Sequence, residues 1–117
     1  MDDQRLRPVE RLRYPSVYRR VFEQGEKLVG ALFILYVLPI SAPHSRLGIA
    51  VSKRVGNAVV RNRIKRCLRE AFRRHKALLA PACDVVCVAR RSVAGVPCTL
   101  YTEQFLTLLQ RCQRLRR

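Results

Sequence analysis

The chain has 117 residues, nearly half of them hydrophobic, and carries 24 Lys and Arg against 8 Asp and Glu, a formal net charge of +16. The length suits one domain, residues 1–117, and the apolar share is enough for a packed core, which excludes a disordered basic tail. The charge calls for a polyanionic partner, nucleic acid ahead of an anionic membrane surface. Arg greatly outnumbers Lys, which favours bidentate phosphate contacts and stacking on bases.

Residues 1–13 are polar, contain no apolar run of the kind that opens a secretory signal, and are expected to be poorly ordered. Pro15 and Ser16 mark a helix start, and Gly25 suits its end. Val17, Tyr18, Val21 and Phe22 recur at helical spacing between them, which predicts a helix over 15–24. Leu28 to Leu38 is β-branched, aromatic and continuous, and predicts one strand buried on both faces with a bend at Gly30. The apolar run from Leu28 to Ile40 is too short to span a bilayer, which needs about 20 residues. A loop with two prolines, 39–45, leads to a second strand over 46–52. There Leu47, Ile49 and Val51 share one face, and Gly48, Ala50 and Ser52 share the other, where small side chains leave room for something to approach.

The stretch from Lys53 to Lys76, KRVGNAVVRNRIKRCLREAFRRHK, dominates the chain. Ten of its residues are Lys or Arg, and only Glu70 is acidic. Asn57 can cap a helix, with Gly56 permitting the turn before it. Val60, Ile64, Cys67, Leu68 and Ala71 then form an apolar stripe. Arg61, Lys65, Arg69 and Arg73 stand four apart and line up as a ridge, with Asn62 and Arg66 on the neighbouring ridge facing away from the stripe. Like charges at this spacing destabilise an isolated helix by a few tenths of a kcal/mol per pair. A solvated face would intersperse Glu; this density and one-sidedness imply an external polyanion.

Ala80 and Pro81 end the helical region, and DVVCVA, 84–89, is a third strand. A loop over 92–97 follows, then a last helix capped by Thr99 or Thr102, with Phe105, Leu108, Leu109, Cys112 and Leu115 as its apolar positions and a basic tail over 111–117. The five cysteines, Cys67, Cys83, Cys87, Cys98 and Cys112, include no C-x-x-C pair, and neither His44 nor His75 stands at metal-ligand spacing. An odd number argues against a disulfide framework, so they read as small buried hydrophobes in a reducing cytosol. No carboxylate pair, nucleophile elbow or phosphate-binding glycine loop is present, and His75, following two Arg, reads as solvent-exposed. Glu70 and Asp84 read as ion-pair partners. The residues therefore nominate no catalytic group and no metal site. They offer an RNA-binding kit: a basic ridge for phosphates, and aromatics beside small residues for unpaired bases. For Phe22 core packing is the favoured role, while for Tyr18 and Tyr36 packing and stacking both stay open.

Arg61-Asn62-Arg63 within GNAVVRNRIKRCLREAFR resembles the signature of the bacterial ribonuclease P protein component, and so do VFEQG, LGIAVSKRVGNAVVRNR and DVVCVAR. The resemblance covers nearly the whole chain. It implies a single α+β domain in αβββαβα order, a two-layer sandwich with a left-handed βαβ crossover, similar to a domain of a small-subunit ribosomal protein and of elongation factor G. It implies a subunit of a cytoplasmic ribonucleoprotein that removes the 5′ leader from precursor tRNA, with the active site and catalytic Mg2+ on the RNA. It places Arg61, Asn62, Arg63, Lys65, Arg66 and Arg69 against that RNA, and Arg73 continues their ridge. Tyr18, Phe22, Tyr36, Ser52, Lys53 and Arg54 would line or border the leader cleft. No membrane and no further protein partner are expected.

Two other readings fit the residues alone. One is a structural RNA-binding protein of ribosomal type, equally charged but without a cleft. The other is a DNA-binding module with the basic helix in a major groove, although a ridge almost uniformly of Arg and Lys suits backbone contact better than base readout.

Overall fold

The computed structural model describes residues 6–91 and 95–115. Helix α1, Pro15–Gln24, leads into strands β1, Glu26–Val29, β2, Phe33–Pro39, and β3, Arg46–Ala50. Helix α2, Ala58–His75, precedes strand β4, Cys83–Ala89, and helix α3, Cys98–Arg111. This is the αβββαβα order. The strands form one sheet in the order β1-β2-β4-β3, antiparallel except for the β3–β4 pair, which α2 connects.

The single long strand expected over Leu28–Leu38 is instead a hairpin. Residues 30–32 turn the chain, so that Leu28 pairs with Leu35 and Val29 with Ile34. Continuous apolar sequence conceals such a break because both arms are apolar. Gly30 sits at the turn, where a Cβ would collide with the Gln104 side chain of α3, whose Oε1 accepts the Leu32 N–H at 2.7 Å.

Alternation sorts the strands onto two faces. Phe33, Leu35, Val37, Leu47, Val85 and Cys87 join Ile64, Cys67, Leu68, Ala71, Phe72 and the α3 side chains Tyr101, Phe105 and Leu108 in the main core. Helix α1 lies on the other face, where Leu12, Val21 and Val86 form a smaller cluster with Tyr18, Tyr36, Leu38 and Val88 packed against it. The α2 stripe is as its periodicity requires, and Asn57 Oδ1 accepts the Val60 N–H at 3.0 Å as its cap. Gly56 is needed for space and not for a turn, since a Cβ there would lie 2.7 Å from Val60 Cγ1.

Three further expectations are corrected. The described part of the N-terminal segment is anchored: Leu6 and Leu12 are buried, Leu12 N–H donates to Leu47 O, and the buried Glu10 carboxylate accepts from Lys76 Nζ at 2.5 Å. The polar sequence gave no sign of this because three spaced residues do the anchoring. Helix α3 starts at Cys98 after Pro97, without a side-chain cap; Thr102 Oγ donates back to Cys98 O. His75 is half-buried and not simply exposed: it stacks on Phe105, and its Nε2 is buried without a hydrogen-bond partner. The loop expected over 92–97 falls partly, and the tail over 111–117 partly, outside the described residues.

Candidate nucleic-acid interface

Two surfaces meet at the turn 52–54. The first is on the α1 side of the sheet. Register aligns Lys27, Tyr36, Val86 and Gly48 in one row across the strands, and Val29, Ile34, Val88 and Ala50 in the next. Helix α1 crosses the first row. Its Tyr18 ring lies over Gly48, Val21 packs with Val86, and Phe22 meets Tyr36 edge to face at 4.9 Å between centroids. The second row remains beside the helix as the floor of a trough, with Val29 exposed and Ile34, Val88 and Ala50 half-buried.

The space that small residues leave on β3 is therefore used first by the protein itself. A Cβ at Gly48 would stand 2.7 Å from the Tyr18 ring. Tyr18 is further fixed by donating its hydroxyl to Leu12 O at 3.4 Å, and burial raises its pKa above the ordinary tyrosine value. Phe22 reverses the expectation of core packing: it is 41% exposed. Its spacing put it on the same helix edge as Tyr18, but Tyr18 lies over Gly48, which has no side chain, while Phe22 meets the Tyr36 ring and stays exposed. Phe22 and the half-buried Tyr36 thus present the aromatic wall of the trough. Asp84, fully buried, fixes the opposite end of this face by a bidentate pair with Arg46 at 2.7 Å for each bond, with Arg20 at 3.8 Å.

At the end of β3 the chain turns through exposed Ser52, Lys53 and Arg54, with the Arg54 N–H donating to Ser52 Oγ at 3.3 Å. Four residues later α2 begins, and with it the second surface. Asn62 and Arg66 point fully outward, and Arg61, Arg63, Lys65 and Arg69 are half-buried along its flanks. Arg61 Nη1 donates to Gly56 O at 2.8 Å, which braces it against the turn. Arg63 lies against the Tyr101 hydroxyl of α3; burial raises the Tyr101 pKa and Arg63 draws it back down. Arg69 is pushed below the usual arginine range by burial and by the neighbouring charges of Arg11 and Arg66. Arg11 was not legible as a site residue; an isolated β-bridge to Leu47 brings it there from the N-terminal segment. Val29, Ile34 and Val88 were also missed, because only strand register puts them in one row.

The last turn of α2 differs. Glu70 accepts from Arg73 Nη2 at 2.8 Å and from Arg74 Nε at 2.5 Å. Burial works against the charged carboxylate, but the two guanidinium groups outweigh it and hold its pKa below the ordinary value. Arg73, placed on the ridge by spacing, is committed to this pair. Glu70 and Asp84 are thus ion-pair partners, as read from sequence.

The cysteines depart from their reading as five equivalent buried thiols. Cys67 of α2 and Cys98 of α3 are joined by a disulfide, with Cα atoms 5.0 Å apart, while Cys83, Cys87 and Cys112 are free and buried. An odd cysteine count with no paired spacing could not reveal a bridge made by helix packing. Among the described residues no group of three or more His, Cys, Asp or Glu stands together as for a metal ion, and no helix is long and apolar enough to cross a membrane.

An α+β domain whose longest helix carries a basic outer face, beside a sheet face with exposed aromatic and apolar side chains, fits the class of RNA-binding proteins. Comparison with known proteins gives the family. The Ribonuclease P family matches residues 6–113, and the chain belongs to it. The ribonuclease P protein component of Shouchella clausii is 44% identical over 86 residues, 73% of this chain and 70% of that protein. That of Petrotoga mobilis is 31% identical over 117 residues, 97% of this chain and 99% of that one. The solved ribonuclease P protein of Thermotoga maritima superposes with a TM-score of 0.79 at 32% identity, covering 89% of this chain and 98% of that chain. The corresponding protein of Staphylococcus aureus gives 0.81 at 30% identity, covering 92% and 98%. Membership places the chain in tRNA processing, with a role in ribonuclease P.

Proposed function

We propose that the chain is the protein subunit of a ribonucleoprotein endonuclease, holding the catalytic RNA on α2 and the 5′ leader of precursor tRNA in the sheet trough. The observation that carries this is the continuity of the two surfaces. The Phe22–Tyr36 wall and the Ile34, Val88 and Ala50 floor run to Ser52, Lys53 and Arg54, and α2 starts directly beyond. A single strand lying in the trough would stack bases on the aromatics and deliver its phosphates to Lys53 and Arg54. Arg61, Asn62, Arg63, Lys65, Arg66 and Arg69 would face the RNA subunit, with Arg73 contributing less because Glu70 holds it.

Magnesium fits the RNA better than this chain. Mg2+ takes oxygen ligands, carboxylates above all. The buried carboxylates Glu10, Glu70 and Asp84 are each bound by Lys or Arg instead. The reading therefore leaves the chemistry, and its Mg2+, to the RNA subunit in the cytoplasm, and gives the protein the work of holding substrate and RNA in register.

The test is reconstitution. Purified protein with Mg2+ should leave precursor tRNA intact, and adding a matched RNA subunit should restore cleavage at the mature 5′ end. The protein should also favour precursor over mature tRNA in that complex. Site-specific cleavage by protein rigorously freed of RNA would overturn the assignment of chemistry to the RNA. Equal affinity for precursor and mature tRNA would leave a structural RNA-binding role instead.

A further inference from the structure

The disulfide between α2 and α3 has one reachable sulfur. Cys67 is fully buried in the main core. Cys98 is part-exposed at the first residue of α3, in an open pocket lined by Arg66, Glu70, Arg74, Thr99 and Thr102. The first turn of a helix favours a thiolate, and so do nearby guanidinium groups. The three free thiols are the opposite: all are buried, and burial pushes Cys83 up to about 12 and Cys87 and Cys112 upward as well. Disulfides in reducing compartments are characteristically transient or redox-sensing.

We propose that Cys98 is a thiol–disulfide exchange site for small acidic thiols and disulfides, with Cys67 as its resolving partner, so that the α2–α3 bridge opens and closes with redox conditions. In the opening direction an external thiolate attacks Cys98 Sγ and forms a mixed disulfide. The Cys67–Cys98 bond breaks, and Cys67 Sγ leaves with the electron pair and takes a proton. A second thiolate then attacks the external sulfur of the mixed disulfide, releasing a small disulfide, and Cys98 takes up a proton. The sum is one protein disulfide and two small thiols giving two protein thiols and one small disulfide. Closure is the reverse, with the small disulfide as oxidant. Attack falls on Cys98 because no path reaches the buried Cys67 sulfur. Arg66 beside it suits a reagent carrying carboxylates, while Arg74 is held by Glu70.

The bridge fastens the start of α3 to the middle of α2, one turn from Tyr101 and its neighbour Arg63. Closing a loop of 31 residues restrains the unfolded chain, so opening the bridge should lower Tm by on the order of 10 °C.

The experiment uses the full chain with glutathione as probe. The wild type is held folded in glutathione disulfide or returned to reduced glutathione, quenched in acid, unfolded and alkylated, and its thiols are counted by intact mass and mapped by peptide. The expected result is reversible loss of two thiols, mapped to Cys67 and Cys98, with Tm falling on reduction. Cys67→Ala, which lacks the resolving sulfur, should accumulate one glutathione on Cys98. Cys98→Ser, altered at a part-exposed position, should fold and show neither the adduct nor a redox-dependent Tm. A wild type that keeps both thiols in glutathione disulfide overturns the proposal. So does an adduct that maps to Cys83, Cys87 or Cys112, or a Tm shift that survives in Cys98→Ser. None of these readouts uses RNA, so they stand apart from the function proposed above.

Discussion

The ridge on α2 and the trough on the sheet adjoin at 52–54, yet they are made by opposite means. The ridge is local. Its charges follow one another along a single helix, and the helix needs only its apolar stripe and its Asn57 cap to present them. The trough is assembled from α1 and four strands, and its floor is one row of a register. Charge on a ridge attracts any polyanion and weakens with salt. Exposed aromatics beside an apolar floor, in the function proposed above, would stack unpaired bases and so tell a single-stranded leader from mature tRNA. The proposal therefore expects affinity and selection to lie on different surfaces, so that each can be broken alone.

The largest effect should come from the trough. Tyr36→Ala should weaken precursor tRNA binding by roughly 5- to 150-fold, the equivalent of about 1–3 kcal/mol for one lost stack, and leave mature tRNA almost unchanged. Phe22→Ala should act in the same direction with little change in Tm, since the ring is 41% exposed. Competition binding with the two tRNAs decides this; equal losses for both, with a large fall in Tm, would make the pair plain packing.

Next in size, Gly48→Val should force the Tyr18 ring off β3, costing about 1–3 kcal/mol of stability and narrowing the trough by shifting α1. Thermal unfolding together with precursor binding tests it, and an unchanged Tm would mean that α1 does not rest on Gly48. On the ridge, replacing both Arg61 and Arg63 by Ala should make log affinity for the RNA subunit less steep in log salt by roughly 1.4–1.8. The precursor-over-mature ratio should survive. An unchanged salt slope would remove α2 from the RNA contact.

The smaller effects concern anchoring. Tyr18→Phe loses one hydrogen bond to Leu12 O and should cost about 1 kcal/mol at most, with no leader-specific defect. In pH titrations of Tm, His75 sets the first change. Burial, then the charge of Arg74, lower its folded pKa below the ordinary 6.5, while the Thr102 backbone raises it slightly. Its contribution is therefore present above 6.5 and is lost as pH falls through the lower folded value. Glu10 and Glu70, both held below 4.5 by cationic partners against the pull of burial, keep their contributions until still lower pH. A Tm that rises between pH 7 and 5 would contradict this order.

What the sequence determined by itself was whatever depends on near neighbours. The period of Val60, Ile64, Cys67, Leu68 and Ala71 fixed α2 and with it the ridge. The Asn57 cap, the extents of α1 and β4 to within a residue, and the pairing roles of Glu70 and Asp84 were likewise legible, and the Arg61-Asn62-Arg63 signature carried the family. Only the tertiary structure decided which neighbours meet across the sheet. It split Leu28–Leu38 into a hairpin, because two apolar arms have no polar mark between them. It gave the space above Gly48 to Tyr18 and left Phe22 open, because the strand residue opposite each position, and not helix spacing, decides which of two residues on one edge is covered. It brought Arg11 to Arg69, Lys76 to Glu10 and Cys98 to Cys67. Those contacts span tens of residues, and nothing in a one-dimensional pattern encodes a distance that packing alone sets.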